Sequence, residues 1–117
     1  MSRSVNQSSL VTLIDSAVRD TNPVTSSGVS VAGATSVSLI ISNTLNQAGN
    51  WQLQWSRDNG TTWVNAGTST ALAATTNVTF VTGSPLLAVS GLYRITYTAS
   101  VAPASGNLYI GLQRVGV

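Results

Sequence analysis

The sequence predicts an all-β protein, an antiparallel two-sheet sandwich of jelly-roll or immunoglobulin-like type with about eight strands. Three observations predict it. Apolar residues recur at every second position in several separate runs, which is the period of a half-buried strand. Turn-forming Gly, Pro, Asn, Asp and Ser stand between those runs. Helix formers are scarce: the chain has no Glu, no Lys and a single Met, so no helix beyond a single turn is expected. Short antiparallel strands in this number cannot hide their apolar faces in one flat sheet. Two sheets must pack face to face, or one must close on itself.

The elements follow in order. Residues 10–19 form the first run, ended by Thr21-Asn22-Pro23, where proline removes a donor and fixes φ. Residues 28–31 are a short second candidate. In 36–42, Val37, Leu39 and Ile41 share one face. Residues 50–57 alternate most clearly, with Trp51, Leu53 and Trp55 on one side and Gln52, Gln54 and Ser56 on the other. Residues 62–66 return across a tight turn. In 77–81, Val78 and Phe80 are expected inward. In 91–100, Tyr93, Ile95 and Tyr97 lie opposite Leu92, Arg94, Thr96 and Thr98. In 107–115, Leu108, Ile110 and Leu112 point inward and Tyr109 outward. The expected core is Trp51, Leu53, Trp55, Ile95, Leu108 and Ile110.

At 117 residues, the chain has the size of one domain with a modest core. The expected organisation is a polar, flexible N-terminal arm over 1–9 and a single sandwich domain over 10–117. No apolar run nears the roughly 18 residues a membrane span needs, and the run 10–14 is too brief for a signal-peptide core. A protein outside the membrane, without an export signal, is therefore expected.

Composition excludes most chemistry. The only ionisable side chains outside tyrosine are Arg3, Arg19, Arg57, Arg94, Arg114, Asp15, Asp20 and Asp58, a net charge of +2. The pI of about 9.7 reflects how few charges there are. Scattered arginines form no phosphate-binding stripe, so nucleic acid is not an expected partner. Without Cys or His there is no disulfide, no thiolate zinc site and no Ser–His or Cys–His pair. No enzyme activity, cofactor or metal is expected. Polarity comes from Ser, Thr, Asn and Gln, a surface that resists association less than a charged one does. It suits a chain covered by neighbours.

One motif is specific. Ser56-Arg57-Asp58-Asn59-Gly60-Thr61-Thr62-Trp63 reads S-x-D-x-G-x-T-W. Asp58 can accept backbone N–H groups of the turn, and Gly60 can take positive φ without steric cost. The structural set of this β-hairpin is Ser56, Asp58, Gly60, Thr62 and Trp63. A two-residue Asn59-Gly60 loop would pair Trp55 with Val64. A three-residue loop with Gly60 in a bulge would pair Trp55 with Trp63, and is preferred because it joins two large aromatics on the buried face. Calcium is not expected here, since it wants six to eight oxygens. The tryptophans alternate with Leu53, which favours core over a sugar-stacking platform.

The eight-residue motif resembles the Asp-box, a structural hairpin of sialidase propellers and many unrelated β proteins. A single copy implies a hairpin staple and nothing about glycoside hydrolysis. A wider stretch, from Ser36 through Gly49-Asn50-Trp51-Gln52-Leu53-Gln54-Trp55-Ser56 to Ala66, is similar to small β-sandwich proteins of tailed-bacteriophage particles. The lysine-free, Ser/Thr-rich composition also resembles head decoration or cement proteins. That resemblance implies a homo-oligomer, commonly a trimer, bound to the major capsid protein on the virion surface and stabilising the shell. A carbohydrate- or receptor-binding module of a tail or baseplate is the alternative. Gln52, Gln54, Arg94, Thr96 and Tyr109 are the candidate interface residues, being neutral or outward-facing on their strands.

Overall fold

Alternating sequence becomes alternating burial wherever a strand has one face on a core, and this chain is built almost wholly from such strands. A computed structural model describes residues 8–83 and 90–116. Among them are ten strands and no helix: β1 (Ser8–Ser16), β2 (Val24–Thr25), β3 (Val29–Ser30), β4 (Ser36–Asn43), β5 (Gly49–Ser56), β6 (Val64–Asn65), β7 (Thr70–Leu72), β8 (Asn77–Thr82), β9 (Leu92–Ala99) and β10 (Leu108–Val115). Two antiparallel sheets result. Sheet I has the order β1-β10-β4-β8; sheet II has β2-β9-β5-β6, with β3 also on β9 and β7 also on β5.

The short pieces work in pairs. β2 and β3 together flank β9, and β6 and β7 together flank β5, so the ten segments act as eight strands, as expected. Their pairing is nested: first with last, second with second-last, and so inward to the β5–β6 hairpin. That is one long hairpin rolled up on itself, the jelly-roll form of the sandwich. The immunoglobulin-like alternative is thereby set aside.

The core lies between the sheets. Sheet I contributes Ile14, Val37, Leu39, Ile41, Leu108, Ile110 and Leu112, and sheet II contributes Trp51, Leu53, Tyr93, Ile95 and Tyr97, all buried. Of the expected core only Trp55 departs, being half-buried at the rim. Gly49 is required by the packing. A Cβ there would collide with the Tyr97 hydroxyl and the Thr98 carbonyl.

Two expectations are corrected. β8 has the opposite phase: Phe80 is 70% exposed and Val78 54% exposed. Its in-register pairing with β4 sets Phe80 beside Ile40 and Thr79 beside core Ile41, so Thr79 and Val81 take the inner face instead. The hairpin register is also different, since Trp55 pairs with Val64. Of the expected arm, residues 1–7 lie outside the described residues, and Ser8 and Ser9 already belong to β1.

Candidate functional site: two outer faces and a cleft

The β5–β6 hairpin explains its own register. Asp58 Oδ1 accepts from Ser56 Oγ at 2.8 Å and from the Thr62 N–H at 2.7 Å, while Ser56 Oγ accepts from the Gly60 N–H at 2.8 Å. Asn59 and Gly60 both take positive φ, 61° and 94°, which Asn and Gly tolerate best. The carboxylate thus holds a wide loop, and the ladder closes only at Trp55 and Val64. Hydrogen bonds from the Thr62 backbone, then the Thr62 and Ser56 side chains, pull the Asp58 pKa down to about 2. With this register Trp63 turns to the outer side of sheet II. There the Arg94 guanidinium carbon stands 4.3 Å from its ring centroid, a cation–π contact.

The outer face of sheet II gathers four of the five interface candidates. Gln52 is opposite Thr96, and Gln54 is opposite Arg94. Their polar groups are already paired. Arg94 Nε donates to Gln54 Oε1 at 2.7 Å, and Gln54 Nε2 donates to Asn65 Oδ1 at 3.0 Å. Gln52 Nε2 donates to the carbonyls of Leu53 and Gly67, and the Thr25 and Thr96 hydroxyls bond each other at 3.2 Å.

Tyr109, the fifth candidate, lies on the opposite layer. The outer face of sheet I carries Thr12, Gly111, Ile40 and Phe80 as one row across all four strands. Beside it stand Leu10, Tyr109 and Val78, with Leu10 and Val78 each 54% exposed. A Cβ on Gly111 would sit 2.6 Å from the Tyr109 hydroxyl and 2.9 Å from Leu10 Cδ1. The ring and the leucine therefore lie over the glycine. Their neighbours Ser38, Ser42, Thr82 and Gln113 are neutral, and Asp15 stands at the margin. Sequence reading missed Phe80, Val78 and Leu10 as surface groups; along 77–82 the apolar residues stand on both parities, so alternation gives no phase there.

A cleft of about 300 Å³ opens beside the hairpin, lined among the described residues by Trp55, Arg57, Thr62 and Val64. Trp55 and Val64 are a cross-strand pair, and Arg57 and Thr62 belong to the loop that joins β5 to β6. The indole is fixed by its Nε1 donating to the Ser90 carbonyl at 2.8 Å. Among the described residues, no group of three or more Asp or Glu side chains could hold a metal, and no helix is long and apolar enough to cross a membrane. The chain matches no family model, no curated protein and no solved structure.

Proposed function

We propose that this chain is a virion structural protein, a decoration or cement protein whose copies bind the outer capsid lattice and stabilise it. The observation that carries this reading is the scarcity of charge on both broad faces, with Arg94 tied to Gln54 and Trp63 on one and Asp15 at the margin of the other, which is apolar and exposed. Such faces suit attachment, because contact strips little charge of its water. The resemblance of the 36–66 stretch to phage-particle sandwiches supports it. By fold-level analogy alone, so does the jelly roll, a form used by viral capsid and lectin domains. Each contact can be weak, since linked copies on a repeated lattice gain effective concentration. Stabilisation follows if the protein binds the assembled shell better than its parts. The test is to heat particles with and without the protein. A raised disruption temperature supports the cement role, and an unchanged one refutes it.

The cleft favours a second reading, a carbohydrate- or receptor-binding module of a tail or baseplate. An indole, a valine and a guanidinium at one opening offer apolar contact and hydrogen-bond donors together. Copy number per particle separates the two: hundreds favour decoration, and a handful favour a tail part.

A further inference from the structure

We infer that β8 is where two copies of this chain join, edge to edge and antiparallel, so that sheet I and its apolar outer face continue from one copy into the other. This rests on the homo-oligomeric attachment proposed above and names the surface that makes it.

The argument begins with the sheet edges. An open edge presents unpaired N–H and C=O groups, and natural sheets blunt such edges with short strands, bulges or charge. Three of the four edges here are blunted. β1 has a register shift between Thr12 and Ile14 and carries Asp15. The flank of β9 is broken into β2 and β3, and the flank of β5 into β6 and β7, none longer than three residues. β8 has none of these devices. Its six residues, Asn-Val-Thr-Phe-Val-Thr, pair with β4 without a shift, and no described strand covers their other edge. The segment has no charge, no Pro and no Gly, and is rich in β-branched and aromatic residues. That is the signature of segments that pair with identical segments.

A second copy is the occupant the charge pattern favours. A two-fold contact lays a surface against itself, so any ionisable group near the axis meets its own like charge. The 77–82 segment and the adjoining row Thr12, Gly111, Ile40 and Phe80 hold no ionisable side chain. Directly opposed residues share a face, so Phe80 would stand opposite Val78, Phe80 or Thr82 of the other copy. Phe80, now 70% exposed, then gains apolar contact while the strand edges gain their hydrogen bonds.

Sedimentation equilibrium of the full chain across the micromolar range tests this, alongside F80K, V78K and, on the outer face of sheet II, N50K. The expected mass is about 24 kDa, twice the 12.0 kDa of one chain. F80K and V78K are expected to weaken association at least about tenfold, since each forces a charge into the contact. N50K leaves it unchanged. All three side chains are exposed, and thermal melts of the dilute proteins verify that the variants fold. A monomer throughout, a mass of three chains, or F80K and V78K dimerising like the wild type each overturns the inference. Capsid binding separates it from the functional proposal. A monomer that binds particles through Phe80 gives this face to the capsid and leaves that proposal standing. A β8 dimer that ignores particles does the reverse.

Discussion

The two outer faces of this sandwich are built from the same kind of strand and end in opposite conditions. On sheet II most outward groups are polar and several bond one another, Arg94 to Gln54, Gln54 to Asn65 and Thr25 to Thr96, while Arg94 also covers the Trp63 ring. On sheet I the outward groups include Leu10, Val78 and Phe80, each more than half exposed, and apolar groups have no comparable way to satisfy themselves alone. Exposed apolar patches on a small protein mark contact surfaces. The polar residues singled out by sequence are therefore largely committed within the chain, whereas the exposed apolar side chains of sheet I are not covered by it. Polarity of a surface is a poor guide to its availability. What counts is whether its groups already have partners.

Four experiments can break or sharpen this contrast. The largest effect belongs to the core that both faces share. L53A removes a fully buried side chain and is expected to cost about 2–5 kcal/mol in urea unfolding. A cost well under that range would mean the sheets pack more loosely than the buried residues indicate. Next is the polar face. R94A strips Trp63 of its cation and leaves Gln54 Oε1 without its donor, for about 1–2 kcal/mol in the same assay. R94K restores charge but not the planar guanidinium, so partial rescue is expected.

The third effect is a pH dependence. The folded pKa of Asp58 is depressed, from an ordinary 3.8 to about 2. Its contribution is therefore fully present above the unfolded value and is lost as pH falls from near 4 through 2. Thermal melts over that window are expected to show falling stability, and D58N is expected to flatten that part of the fall. An unchanged slope in D58N would assign the acid sensitivity to other groups. The smallest effect is on the apolar face itself. F80T in dilute solution is expected to change monomer stability by no more than about 0.5 kcal/mol, because the ring packs on little of its own chain. A loss of several kcal/mol would make Phe80 part of the fold and weaken the case for a partner.

Much of the fold was legible because period-2 alternation is clear in 50–57, 91–100 and 107–115, where one face holds most of the large apolar groups, Leu92, Tyr109 and Val115 excepted. It failed in 77–81, where Val78, Phe80 and Val81 stand on both parities. Val78 and Phe80 face outward, against expectation, because the β4 pairing sets the phase through Ile41 and Leu39. The hairpin register was misread for a related reason. Aromatic pairing favoured Trp55 with Trp63, but three hydrogen bonds around Asp58 and Ser56 fix a wider loop. β2 and β7 are too short for any periodic signal. Of the candidate interface, alternation turns Gln52, Gln54, Arg94 and Thr96 outward on their own strands; that β5 and β9 are neighbours, and that these groups already have hydrogen-bond partners, depends on the strand pairing. β8, whose phase alternation does not give, is also the strand inferred to join two copies, and local rules fail most often where a sequence serves something besides its own core.

Hydrogen–deuterium exchange at low and high protein concentration tests the contrast between the two faces most directly. At high concentration the amides of β8 are expected to slow markedly, while those of the sheet II edges, β6 and β7, exchange at the same rate throughout. Equal exchange of β8 at both concentrations, or slowing confined to β6 and β7, would contradict the account.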